Sequence, residues 1–382
     1  MSEVMDNKIT EIIDGKIDRS KWIKWKFSDL VENIVEKVVP KDSGLDHYIG
    51  LKHLDTGSLK IRRYGETESL IGNKLKIYKG DLIFAKRNSY LKRVAIADFD
   101  AVASAHSLVL RPKSENVNQD FLPFFMMSEK FWQRAIEISV GSLSPTINWK
   151  VLAKQEFLLP PKDQQAQLAK LLWAMDEVIE REKEVLSFEE QLFLSYSKSI
   201  FSEGVGNQLE LKNIGDLIMG QSPKGSTYNE NGVGMPFLQG NAEFGAKNPT
   251  HIKYTTAPGK VVKKDTILIS VRAPVGDLNI ADREYCIGRG LAGIYIENED
   301  LRNYFFNFLK YARLELEKNS TGSTFKAINK DTLSTLKCII PQDAELKDNS
   351  NKLNSILNAT ELLSKKIISS KSLQKSLINQ VF

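Results

Sequence analysis

Cysteine is nearly absent from this chain: only Cys286 and Cys338 occur in 382 residues, in unrelated contexts. A disulfide framework needs several cysteines and a thiolate metal site needs them closely spaced, so neither organises the fold. A cytoplasmic, reducing setting is the expectation. Histidine is almost as scarce, with His47, His53, His106 and His251 scattered along the chain, and no metal-ligating set is suggested. No apolar run approaches the roughly 18 residues that span a bilayer. The N-terminal Met1-Ser2-Glu3-Val4-Met5-Asp6 also lacks a basic segment followed by an apolar stretch. Neither secretion nor membrane insertion is expected. Catalytic signatures are missing as well. Asn248-Pro249-Thr250-His251 fails at two of the four positions of the Asp/Asn-Pro-Pro-aromatic loop that clamps a DNA amino group. Gly220-Gln221-Ser222-Pro223-Lys224-Gly225-Ser226-Thr227 places Ser226 where a phosphate-cradling loop needs Lys. No nucleophile, base and orienter set can be assembled, so the chain by itself is expected to be no enzyme and to bind no cofactor directly.

What is present is enough chain for two cores, with 42% hydrophobic and 26% charged residues. The formal net charge of +5 is compatible with a polyanionic partner without demanding one. An internal repeat organises the rest. Gly141-Ser142-Leu143-Ser144-Pro145-Thr146-Ile147-Asn148 recurs as Gly322-Ser323-Thr324-Phe325-Lys326-Ala327-Ile328-Asn329, an offset of 322 − 141 = 181. Phe157-Leu158-Leu159-Pro160 answers Cys338-Ile339-Ile340-Pro341, and Ile200-Phe201 answers Val381-Phe382. Upstream, Lys79-Gly80-Asp81-Leu82-Ile83-Phe84 pairs with Lys263-Lys264-Asp265-Thr266-Ile267-Leu268 at 265 − 81 = 184, as does Ile96-Ala97-Asp98 with Ile280-Ala281-Asp282.

After each of those prolines the pattern becomes a long helix without internal Pro or Gly. In residues 163–201, Leu172, Ile179, Leu186, Phe193 and Ile200 recur every seven positions, with a second column at Leu171, Val178, Val185 and Leu192. Residues 343–382 carry a weaker seam of Leu353, Ile356, Leu363, Ile367, Leu377 and Val381, interrupted at Thr360 and Gln374. A lone helix with so broad an apolar face is unstable in water, so we expect the two to pair antiparallel as a coiled coil. The alternative is that each packs on its own globular part. The globular parts read as mixed α and β, an α+β class. Strands are expected over residues 77–85, 93–97, 107–110, 266–271 and 292–296, and helices over 119–138 and 300–318. Phe121, Phe124, Phe125, Phe131 and Trp132, like Tyr304, Phe305, Phe308 and Tyr311, read as core. The domains are then 1–162, opening with an extension over 1–23, and 204–341, with spacer helices over 163–203 and 342–382.

DNA contact is best placed at Lys86, Arg87, Asn88, Ser89, Tyr90, Lys92 and Arg93, one turn with four cations beside amide, hydroxyl and aromatic groups. The corresponding turn of the second copy, residues 272–277, has Arg272 alone. That reader must draw on other groups, such as Gln239, Asn241 and Lys247. Ser142, Ser323 and Lys326 in the paired Gly-Ser loops suit phosphate positioning. Arg62, Arg63, Lys74, Lys76, Lys253 and Arg289 are weaker candidates.

From about Lys24 onward the chain resembles the specificity subunits of type I restriction-modification systems. The resemblance rests on Lys79-Gly80-Asp81-Leu82-Ile83, on the doubled Gly-Ser-x-x-x-x-Ile-Asn block, and on Leu159-Pro160-Pro161-Lys162-Asp163-Gln164-Gln165 opening the first long helix. Gln164 stands where the family has Glu, and Pro341-Gln342-Asp343 lacks the second Pro and the Gln pair. The resemblance implies two target recognition domains that read the parts of a bipartite, asymmetric site in double-stranded DNA, a phage-defence function. It also implies docking of two methyltransferase subunits using S-adenosylmethionine, and of restriction/translocase subunits using ATP and magnesium. Two other readings remain: a specificity subunit of a type IIB or other phage-defence methyltransferase assembly, and a coiled-coil scaffold that never binds DNA.

Overall fold

The computed structural model describes residues 19–319 and 328–382. The chain divides into two compact units. One holds the residues up to Glu182 together with Lys366–Phe382, and the other holds Lys183–Lys365. The division falls inside both long helices, Lys162–Phe201 and Asp343–Val381.

The first unit carries β1 (Ile23–Lys26), β2 (Val31–Ile34), β3 (Lys37–Val38), β4 (His47–Ile49), β5 (Gly65–Glu66), β6 (Lys74–Ile77), β7 (Leu82–Ala85), β8 (Val94–Ile96), β9 (Ala101–Ala103), β10 (Ser107–Pro112) and β11 (Glu156–Leu159). An antiparallel sheet runs β2-β10-β7-β8, a second sheet runs β3-β6-β9-β4-β5 with β4 and β9 parallel, and β1 pairs with β11. Side chains alternate along β7 as a strand's pleat requires. Leu82 and Phe84 enter a core with Phe121, Phe124, Phe125, Phe131 and Trp132, all at most 1% exposed. Ile83 and Ala85 face the opposite core, with Ile49, Ile77 and Ala103 of the second sheet. The aromatics are therefore core, as their spacing indicated. Residues 119–138 form not one helix but two, Leu122–Met127 and Glu129–Glu137, because Ser128 is extended and its hydroxyl caps the second by accepting from the Phe131 N–H. Residues 77–85 likewise are not one strand. Gly80, at φ +93°, turns the chain between β6 and β7, and Asp81 accepts from the Tyr78 N–H and from the Arg111 guanidinium.

The second unit carries β12 (Asn207–Glu210), β13 (Asp216–Met219), β14 (Tyr228–Asn229), β15 (Met235–Leu238), β16 (Lys253–Thr255), β17 (Val261–Val262), β18 (Ile267–Ser270), β19 (Leu278–Ile280), β20 (Tyr285–Ile287), β21 (Leu291–Tyr295) and β22 (Lys337–Ile340). Its sheets run β13-β21-β18-β19 and β14-β16-β15-β20-β17, with β12 paired to β22. The first matches β2-β10-β7-β8 strand for strand. In the second, β17-β20-β15-β16 repeats β6-β9-β4-β5, including the single parallel pair, β15 with β20. The extra strand lies beside β16 here and beside β6 in the first unit. Strand register corrects one detail of the sequence alignment. Gly80 and Asp265 each donate to the carbonyl of an equivalent alanine, Ala97 and Ala281. Both residues have positive φ, so the matching positions are 265 − 80 = 185 apart and Asp81 answers Thr266, not Asp265.

The long helices pair antiparallel in each unit. In the first, Leu168, Ala169 and Leu172 share a core with Leu377, Ile378 and Val381. Lys366 pairs with Glu182 at 3.3 Å, and Gln374 Nε2 meets Asp176 Oδ1 at 3.5 Å. In the second unit, Phe193 and Phe201 share a core with Leu346 and Leu353, and the Tyr196 hydroxyl donates to Asn349 Oδ1 at 2.7 Å. The helices also pack on their own globular parts, Trp173 Nε1 donating to the Asp120 carbonyl. Gln374, a break in the apolar seam by sequence, is thus a buried polar layer, 4% exposed.

Candidate nucleic-acid interface

The basic turn of the first unit joins β7 to β8, and the structure sets it against the Gly141-Ser142 loop. Lys86 N–H donates to the His106 carbonyl (3.2 Å), Ile147 N–H donates to the Lys86 carbonyl (2.8 Å), and Ser89 N–H donates to the Pro145 carbonyl (3.3 Å). Arg87 forms an antiparallel bridge with Thr146, which also bridges Val140, so exposed Ser142 projects from the same ledge. Two segments that begin 141 − 86 = 55 residues apart, separate candidates in the sequence, become one surface.

The turn's polar groups divide by role. Ser89 is fully buried, Lys92 pairs with Glu129, and Arg93 Nη1 donates to the Leu51 carbonyl at 2.6 Å, so these three brace the turn. Asn88 and Lys92 have φ of 56° and 48°, a left-handed backbone that Asn tolerates and Lys adopts only under constraint. Lys86, Arg87 and Tyr90 remain for an outside partner, Tyr90 being 57% exposed. Neither Lys86 nor Arg87 has a carboxylate partner among the described residues. Burial alone pushes the Lys86 ammonium below the usual lysine range. Arg87 Nη1 lies 3.4 Å from His106 Nε2. Burial first, then the charges of Arg87, Lys86 and Lys74, hold the His106 pKa below the ordinary imidazole value. Of the weaker candidates, Arg62 is taken by Glu180 and Ser58, Arg63 by Asp55, and Lys76 by Glu36 and the Tyr78 ring. Lys74 donates to the Ile71 carbonyl at 2.6 Å.

In the second unit the β18–β19 turn holds exposed Arg272, without an ion pair among the described residues. Asn241 Nδ2 donates to Asp277 Oδ2 at 2.6 Å, and Asp277 also pairs with Arg313, which places Asn241 against the end of that turn. Lys247 is exposed beside β19, its carbonyl accepting from the Ile280 N–H at 3.1 Å. Gln239 Oε1 accepts from Lys253 Nζ at 3.2 Å, and Arg289 is exposed near Ser222. Ser323 and Lys326 lie outside the described residues. His106 was overlooked as a member of the first cluster. Only the β7–β10 register, Ala85 opposite Ser107, brings it there, and nothing in its local sequence announces that.

A second surface lies on the long helices. Leu172, Ile179 and Phe193 are buried, whereas Val178, Val185 and Leu192 of the neighbouring column are 50%, 46% and 39% exposed. Leu353, Ile367 and Leu377 are buried and Leu186, Ile200, Ile356 and Leu363 half-buried. Among the described residues no helix is long and apolar enough to cross a membrane, and no three His, Cys, Asp or Glu side chains gather as a metal site.

The family profile described as the type I restriction modification DNA specificity domain matches residues 33–187 and again 207–370. A Methanocaldococcus jannaschii protein with the provisional name type I restriction enzyme MjaX specificity subunit is 32% identical over 406 residues, covering 97% of this chain and 94% of that protein. A chain solved in work on complex assembly and conformational transition of the type I R-M system is 27% identical, with a TM-score of 0.62 over 94% of this chain and 97% of its own. The type I restriction-modification S subunit from M. genitalium, at 17% identity, has the same fold, with a TM-score of 0.60 over 94% of this chain and 96% of that one.

Proposed function

Because the chain belongs to the type I restriction-modification DNA specificity family, we propose that it is the subunit that selects DNA sequence for a type I complex, reading a bipartite, asymmetric site with its two halves. The observation that carries this reading is one fold built twice with unlike hairpin tips, Lys86–Arg93 in one copy and Arg272–Asp277 in the other. Equal scaffolds give equal access to the groove, and unlike tips give unlike half-sites. The recognition domains are residues 1–162 and 204–341. In the first, Lys86, Arg87, Tyr90 and Ser142 face DNA, while Asn88, Ser89, Lys92 and Arg93 hold the turn in shape. In the second, Arg272, Asn241, Lys247 and Gln239 do so, joined by Ser323 and Lys326.

The long helices serve as spacer and as dock. Exposed Val178 in the first unit, and Val185 and Leu192 in the second, offer apolar side chains to two methyltransferase subunits, to which restriction/translocase subunits add. S-adenosylmethionine, ATP and magnesium belong to those partners, and this chain contributes binding, not catalysis. The complex acts in the cytoplasm. Mapping methylated adenines in host DNA with and without the gene for this chain tests the proposal. A single bipartite motif is expected to lose methylation with the chain and regain it on return. Methylation that persists unchanged, or that follows no motif, overturns it.

A further inference from the structure

Arg87 and Arg272 occupy the same place in the two copies. Each stands two residues past the end of a strand, β7 or β18, whose register to its neighbours is repeated: Leu82↔Ile96 and Leu110↔Leu82 in one, Ile267↔Ile280 and Ile267↔Ile294 in the other. Each also follows a residue whose carbonyl accepts from the isoleucine of a repeated Ile-Asn pair, Ile147 to Lys86 at 2.8 Å and Ile328 to Val271 at 3.0 Å. The offsets, 272 − 87 = 185 and 328 − 147 = 181, are those of the strands and of the Gly-Ser blocks. Around this arginine the tips share nothing. Lys86-Arg87-Asn88-Ser89-Tyr90 stands against Val271-Arg272-Ala273-Pro274-Val275. Neither guanidinium has a carboxylate partner among the described residues, while other arginines of both units do, Arg111 with Asp81 and Arg313 with Asp277.

A side chain that reads a base must change when the base changes. One kept in place between two readers of unlike sequence suits the part of DNA that does not change. We propose that Arg87 and Arg272 are a matched pair of phosphate contacts, one per half-site, that set each hairpin's height over the groove without reading sequence, and that selectivity rests on the groups in which the tips differ. This rests on the reading of two unlike half-sites.

The test uses the full chain assembled with its methyltransferase subunits, a randomised duplex library for sequence selection, and one fixed duplex carrying the selected site for affinity against salt. Arg87→Ala and Arg272→Ala are each expected to weaken the fixed duplex about tenfold and to lower the slope of log affinity against log salt by about 0.9. The selected motif should stay unchanged. Arg87→Lys and Arg272→Lys should restore the slope, which separates charge from folding. A changed base preference in either alanine variant, an unchanged slope, or a failure of both lysine variants to restore it overturns the proposal. If the wild-type complex selects no motif, the functional reading itself fails, a distinct result.

Discussion

Glu129 lies between Lys92 of the basic turn and Lys375 of the second long helix. The hydrogen bond from Lys92 is the main cause of its pKa falling below the usual glutamate value, with Lys375 adding to it against a desolvation penalty. A carboxyl whose pKa is lower folded than unfolded stabilises the fold above the unfolded value, and that stability is lost as pH falls through the folded one. Both members are partly solvated, so the pair is worth no more than about 1 kcal/mol. Glu129→Gln should therefore lower urea-unfolding stability by about 0.5–1 kcal/mol at pH 7, with the difference closing below about pH 4. A deficit of the same size at pH 3 would show that Glu129 acts through packing and not charge. This residue also explains the limit of the sequence reading. Four cations in the turn were legible as a polyanion contact, but which of them face outward depends on Glu129 and Leu51, more than 30 residues away in opposite directions, so the bracing role of Lys92 and Arg93 was not.

Elements were legible where local pattern suffices and obscure where a partner decides. The first long helix follows from uninterrupted heptads and the second from a weaker seam broken at Thr360 and Gln374, and their antiparallel pairing follows from the instability of an unpaired apolar face. Two apolar columns ran side by side on the first helix, however, and spacing alone cannot say which one is the seam. The fold resolves it: Leu172 is fully buried and Val178 half exposed. Leu172→Ala should accordingly cost about 2–5 kcal/mol of stability, as large-to-small changes in packed cores do. Val178→Ala should stay within about 0.5 kcal/mol in the isolated chain. Denaturant unfolding of both variants tests the assignment, and equal losses would mean that both columns are buried. The split of residues 119–138 at Ser128 and of 77–85 at Gly80 went unread for a related reason. Ser and Gly are tolerated inside elements, and only tertiary packing turned these two into a cap and a turn.

At the scale of the molecule the duplication was the most legible feature, because a collinear repeat survives divergence that erases local motifs. Its structure adds that the four-stranded sheets keep one strand order, that the mixed sheets differ in which edge carries the extra strand, and that the hairpin tips differ in sequence. If the long helices are the spacer between two readers, spacing and sequence choice must be separable. Lys366 pairs with Glu182, and residues 183–189 and 359–365 are the heptads beside that contact on the two helices. Removing both heptads together should leave every remaining helix position facing its former partner. Seven residues at 1.5 Å each shorten the pair by about 10 Å, equivalent to at most about three base pairs of DNA. The expected product is a complex that methylates the same two half-sites with a shorter unspecified stretch between them, read by mapping methylated adenines in host DNA. Half-sites that change along with the spacing would place base reading on the helices, and a spacer of unaltered length would remove them from the measurement of distance altogether.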